Sequence, residues 1–166
     1  MERNADVVNL SSYAPLFAHV DGWQWTPDLI WVNNLESYGT PNYYVQKLFS
    51  TNKGTDVVPA LLNGKSISGQ DSLYVSAVID KVSNEIIIKL VNASGTAQRH
   101  MVNIEGPKKI AARGSIIILQ NDDNNIVNSI EHPGNIVPQE SVIDITGNKL
   151  NLTCLPYSLS VVKLKM

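Results

Sequence analysis

From residue 55 onward the sequence is a succession of short β-branched runs broken by turn residues, with no helical apolar spacing between them. This pattern constrains the fold more than any other feature. Parallel strands need a crossover of a dozen or more residues, usually a helix, so runs joined by short turns pair antiparallel. Leu73, Val75, Ala77 and Ile79 alternate with Tyr74, Ser76, Val78 and Asp80. Residues 85–91 follow the turn Ser83-Asn84, and Ala93-Ser94-Gly95 separates them from residues 96–105. Gly106-Pro107 breaks the chain before residues 110–120, and residues 121–125 form a polar loop. Runs at 142–145, 149–154 and 157–164 complete the set. Six or seven such strands predict a mainly β fold, an antiparallel β-sandwich of jelly-roll type, with the strand order left open. Ile86-Ile87-Ile88 and Ile116-Ile117-Ile118-Leu119 are apolar on both faces. One face fills the sandwich core, and the other needs a cover from elsewhere in the chain.

The cover is expected from residues 1–54, which differ in character. All three tryptophans lie there (Trp23, Trp25, Trp31), with Tyr13, Phe17, Tyr38, Tyr43, Tyr44 and Phe49; beyond Gly54 only Tyr74 and Tyr157 are aromatic. Residues 5–10 form a short apolar run that fits a buried strand or a helix end, two states that periodicity cannot separate at this length. Asp21-Gly22-Trp23-Gln24-Trp25-Thr26-Pro27 reads as a loop. Gly39-Thr40-Pro41 then opens a helix: Thr40 suits the cap, and Pro41 suits the first helical position, where its missing N–H loses nothing. Val45, Leu48 and Phe49 give that helix one apolar face. Asn52-Lys53-Gly54 predicts its end, through a cation in the last turn and then a glycine. The division is therefore 1–54, a short α-containing segment, and 55–166, the sandwich.

The chain carries 13 lysines and arginines against 15 acidic residues, a net charge of −2. That excludes the basic excess of a nucleic-acid binder and fits a neutral partner such as a sugar polymer. With 43% apolar and 17% charged residues, a chain of this length can bury a core without disulfides or metals. Cys154, the single cysteine, is in phase with Leu150 and Leu152 and reads as a small buried hydrophobe. His19, His100 and His132 lack ligand-like spacing, and no glycine-rich phosphate loop is present, so neither metal nor cofactor is expected. No run is long enough to cross a membrane, and no leader follows Met1. If a parent protein is exported, its signal lies upstream and its location is extracytoplasmic. Three glycosylation-type triplets begin at Asn9, Asn92 and Asn151, a pattern too short to carry a conclusion.

Three strings carry a family resemblance. Ser12-Tyr13-Ala14-Pro15-Leu16-Phe17 followed by Trp25-Thr26-Pro27-Asp28-Leu29-Ile30 resembles the stretch near the last barrel strand of family 51 glycoside hydrolases of the α-L-arabinofuranosidase type. The run from Tyr38-Gly39-Thr40-Pro41 through Asn42-Tyr43-Tyr44-Val45-Gln46-Lys47-Leu48-Phe49-Ser50 is similar to the helix that follows it. Leu155-Pro156-Tyr157-Ser158-Leu159 resembles the closing strand of the family's C-terminal sandwich. The resemblance implies that residues 1–54 are the end of a (β/α)₈ barrel: its last strand, a loop and a helix. It also implies a parent enzyme that releases terminal arabinofuranosyl groups from arabinan or arabinoxylan with retention, through two glutamates set close across the sugar. Those glutamates belong to earlier barrel strands. Glu2, Glu36, Glu85, Glu105, Glu131 and Glu140 do not occupy the family's catalytic motifs, so no catalytic residue is carried over and the chain alone is expected to be inactive.

By the same resemblance, residues 15–21 would be the substrate-facing end of the strand. Phe17, His19 and Trp25 would then line the pocket, the aromatic rings stacking on a sugar face and the imidazole bonding a hydroxyl. Each has a plainer alternative, in which the aromatics only pack barrel against sandwich. Where some members carry a sugar-contacting glutamine near Pro15, this chain has the proline. Two further readings stand beside the enzyme fragment. One is a free-standing carbohydrate-binding sandwich, against which the aromatic-poor residues 55–166 argue. The other is a structural or oligomerising domain, in which residues 1–54 fold back on the sandwich, swap between chains or pair with a second copy.

Overall fold

A computed structural model describes residues 2–107, 109–123 and 125–166. After a 3-10 turn at Glu2–Asn4, the elements in chain order are β1 (Phe17–His19), β2 (Ile30–Val32), β3 (Ser37–Gly39), α1 (Pro41–Thr51), β4 (Asp56–Val58), β5 (Leu61–Leu62) and β6 (Lys65–Ser66). Then come β7 (Leu73–Asp80), β8 (Glu85–Asn92), β9 (Gln98–Asn103), β10 (Arg113–Leu119), β11 (Gln139–Asp144), β12 (Lys149–Cys154) and β13 (Ser158–Lys165). The larger strands overlap the runs read from the sequence, though β11 begins three residues before the run at 142–145 and ends one short of it.

Six strands form one antiparallel sheet in the order β11-β10-β13-β8-β7-β4. The closing strand β13 lies at its centre, with Val162 opposite both Ile88 and Ile116. Side chains alternate across a strand, so each central strand feeds two cores. Leu73, Val75 and Ala77, Ile86, Ile88 and Leu90, Ile116, and Val162 with Leu164 face one side. There β12, paired with β9, supplies Leu150, Leu152 and Cys154 as the second layer. The other face of the same strands carries Val78, Ile87, Leu119, Leu159 and Val161.

Helix α1 covers that second face. Leu48 is buried against it, with Tyr44, Val45 and Phe49 alongside, and Ile136 closes the cluster from the β10–β11 connection. The isoleucine runs thus receive the cover they demanded, and it comes from the first region. Full burial of one such leucine is worth about 1.5–3 kcal/mol.

The helix starts as its sequence predicts: the Tyr43 N–H donates to the Thr40 hydroxyl, and Pro41 takes the first turn. Its end is made differently. Lys53 is not in the last turn; Asn52 caps it, its side-chain amide donating to the Leu48 carbonyl at 2.9 Å. Gly54 is needed for space, since a Cβ there would lie 2.6 Å from the Ile79 carbonyl oxygen.

Residues 5–10 are neither a buried strand nor a helix end. Val7 and Leu10 are exposed, and the Val7 and Val8 amides donate locally to the Asn4 carbonyl. Among the described residues no strand lies beside this run to take its backbone hydrogen bonds. The sheet β1-β2-β3 went unread because each strand is three residues long, too short to show a period. Its first pair is parallel, joining Phe17 to Ile30 and His19 to Val32. No helix among the described residues is long and apolar enough to cross a membrane.

Candidate functional site

The three-stranded sheet positions the residues singled out for sugar contact. Phe17 and His19 are two apart on β1, hence on one face, while Ala18 between them is buried. Phe17 is exposed. The Asp21 amide donates to Nδ1 of His19 at 3.2 Å, and the Asp21 carboxylate stands 3.9 Å from the same nitrogen. With Nδ1 an acceptor, the neutral ring carries its proton on Nε2, ready to donate outward. Trp25 projects from the loop between β1 and β2, 68% exposed, and its ring stacks on no other aromatic ring among the described residues. Trp23 packs edge-on against Trp31, with centroids 5.9 Å apart. The structure therefore puts Phe17 and His19 on one face of β1 and Trp25 on the loop that follows.

Backbone ties hold this face to the helix. The Leu29 amide donates to the Pro15 carbonyl, and the Leu29 carbonyl accepts from both the amide and the hydroxyl of Thr40. Asp28, just before it, is 2% exposed, and its Oδ2 has no hydrogen-bond partner among the described residues. A buried carboxylate oxygen in that state is costly. Tyr38 lies across the β2–β3 ladder from Trp31. Burial, and then the negative charge of Glu131, raise its phenol above the ordinary tyrosine value and keep it a neutral donor.

Two clefts lie beside helix α1. The larger, about 390 Å³, lies between the first turn of α1, the ends of β8, β10 and β13, and the loop after β10. Its lining is largely apolar, with Leu119, Ile136 and Leu159, and Asp123 is the one acidic group among the described residues that line it. The smaller, about 130 Å³, is lined by Glu2, Lys89 and Phe49 among others, and Glu2 is the one acid among its described residues. That acid is engaged, one oxygen accepting from the Lys89 ammonium and the other from the Ser76 hydroxyl. Neither cleft was legible in the sequence, because each gathers elements far apart in the chain. The one local signal was at Pro156-Tyr157, where a turn places a tyrosine at φ +48°, a conformation suited to glycine or asparagine.

Cys154 is fully buried on the core face of β12, and burial pushes its thiol up to about 11. It stays a protonated hydrophobe at neutral pH. Among the described residues no three His, Cys, Asp or Glu side chains gather as a metal site.

Comparison with known proteins gives consistent matches. A family model described as the Alpha-L-arabinofuranosidase C-terminal domain matches residues 1–158. Alpha-L-arabinofuranosidase 1 of Arabidopsis thaliana is 32% identical over 165 residues, covering 96% of this chain. An extracellular exo-alpha-L-arabinofuranosidase of Streptomyces chartreusis is 60% identical over 60 residues, 36% of the chain. Among solved structures, an arabinose-bound MgGH51 α-L-arabinofuranosidase superposes with a TM-score of 0.89 at 30% identity, over 98% of this chain and 25% of its own. The chain spans about a quarter (24%) of the length of the Arabidopsis relative.

Proposed function

This chain belongs to the family of α-L-arabinofuranosidase C-terminal domains, and we propose that it is the non-catalytic closing part of a retaining glycoside hydrolase that releases terminal arabinofuranosyl groups from arabinan or arabinoxylan. On this reading residues 1–54 are the last strand, loop and helix of a (β/α)₈ barrel, and residues 55–166 are the sandwich packed beside it. Retaining hydrolysis needs two carboxyl groups about 5–5.5 Å apart across the sugar. The observation that carries the proposal is the match of residues 1–158 to the C-terminal domain of the family; in keeping with it, among the described residues Asp123 is the one acid lining the larger cleft, and Glu2, tied to Lys89, the one lining the smaller. The acid and the nucleophile then come from polypeptide outside these 166 residues.

Phe17 and His19 on β1, and Trp25 on the loop after it, fit a role in the parent, lining the sugar pocket or meeting the barrel. Left alone, the same surface would favour pairing with a second copy or a swap of the first region. The test is an assay of the purified chain on an aryl α-L-arabinofuranoside. The expected result is the rate of the buffer blank. An enzyme-like turnover that survives repurification would overturn the reading.

A further inference from the structure

Tyr157 is held in an unusual way. It follows Pro156 at the turn into β13, with a positive φ of 48°. A bulky residue there is a genuine outlier, and such strain persists where the surroundings or a function require it. Its amide donates to the Ser94 carbonyl, and its hydroxyl lies 2.9 Å from where a Cβ on Gly95 would stand. Gly95 thus leaves the space that the ring occupies. The phenol, 45% exposed, forms part of the rim of the larger cleft. Gln120, Asn121 and Asp123 line the same cleft, together with the apolar Leu119, Ile136 and Leu159. Asn121 Oδ1 accepts from the Asp123 amide and Asp123 Oδ1 accepts from Asn125, which fixes that side of the cleft. A few polar groups around an apolar floor, in about 390 Å³, is the build of a small-ligand site. The offered chemistry is an aromatic ring, planar amides and one acceptor carboxylate, with no basic group among the described lining residues. That suits a neutral polyhydroxylated ligand and disfavours an anion.

The cleft also has a direction. Pro41 and Val45, in the first two turns of α1, line one part of it. In a (β/α)₈ barrel the helix after a strand begins on the side where substrate-facing loops lie.

We propose that this cleft, between the first turn of α1 and the Tyr157 rim, is an accessory binding site for a neutral pentose unit of the glycan, separate from the catalytic pocket. The inference rests on the reading of residues 1–54 given under Proposed function. It assigns to the sandwich a part in holding the polymer beyond the bond that is cut.

The experiment is a titration of the isotopically labelled 166-residue chain with α-1,5-linked arabinotriose, and separately with maltotriose, up to about 10 mM. Amide and indole signals are followed by NMR. The expected result is saturable shifts at Gln120, Asn121, Asp123 and Tyr157 with arabinotriose, weaker by at least tenfold in affinity with maltotriose, and still tryptophan indoles. The variant Tyr157→Gly accepts the turn without strain, so it is expected to match or exceed the parent chain in stability while losing at least tenfold in affinity. No saturable shift, shifts confined to the Trp23 and Trp25 indoles, or unchanged binding by Tyr157→Gly would each overturn the proposal. Hydrolysis of the trisaccharide during the titration would instead sink the non-catalytic reading, so the two failures are told apart.

Discussion

The Lys89 ammonium lies 2.5 Å from the Glu2 carboxylate, an ion pair that joins the middle of the six-stranded sheet to the first turn of the chain. Lys89 is 1% exposed and sits on the face that α1 covers, its charge 5.3 Å above the Phe49 ring. Glu2 also accepts from Ser76 on the neighbouring strand, and Arg3 donates to the Ile67 carbonyl. The amino-terminal turn therefore neutralises a charge that the sheet would otherwise bury alone.

Removing either charge alone should cost more per charge than removing both. Glu2→Ala leaves an uncompensated buried cation and should lower stability to denaturant by about 2–4 kcal/mol. Lys89→Met leaves the Glu2 carboxylate, 16% exposed, without its cation and should also be destabilising. The double variant strands no charge and should lose less than the sum of the two single losses. Urea titrations of both variants, alone and combined, give the comparison. Strictly additive losses would argue against an ion pair buried at this site.

Asn92 closes the end of β8. Fully buried, it donates from Nδ2 to the carbonyls of Thr96, Cys154 and Leu155, and its Oδ1 accepts from the amide and hydroxyl of Ser94. Asn92→Ala would strand several buried acceptors at once, at about 1–3 kcal/mol each before relaxation. A loss of at least about 2 kcal/mol in denaturant midpoint analysis is expected. The same burial keeps the Asn92 triplet from being glycosylated in the folded chain.

Burial of Cys154 predicts a pH dependence. Its thiol rises from 9.0 to about 11 in the folded chain. Above pH 9 the unfolded state loses this proton first, so stability present below pH 9 falls as pH rises towards 11 and is not lost further beyond. The amount is on the order of 2 kcal/mol. Tyrosines and lysines titrate in the same window, so the measurement is the difference between the parent chain and Cys154→Ala at pH 8 and pH 10.5. The variant should show the smaller decline. Thiol reagents should also react with Cys154 only after unfolding.

Leu48 tests the helix as cover. It is buried among Val78, Ile87 and Val161 on the second face of the sheet. Leu48→Ala should cost about 2–4 kcal/mol and leave the six-stranded sheet intact by circular dichroism. A negligible change would mean that α1 does not shield the isoleucine runs in solution.

The chain's own order of residues determined the strands from β7 to β13 and the start of α1. Alternation and capping act between near neighbours, so Leu73, Val75 and Ala77 announce a strand face and Thr40-Pro41 announces a helix start without reference to anything distant. That Phe17 and His19 share a face follows from the same two-residue period once the strand is known. Family membership was legible too, from strings within residues 12–50 and 155–159. Tertiary structure alone decided that β13 lies between β8 and β10, and that α1 lies on the sheet. It also decided that Glu2 meets Lys89, and that Tyr157 and Asp123 line one cleft. Each of these joins residues far apart in sequence, and their energies come from burying surfaces and charges together, which no local pattern encodes. Residues 5–10 show the converse: an apolar run becomes a strand only when another strand takes its hydrogen bonds, and none among the described residues does.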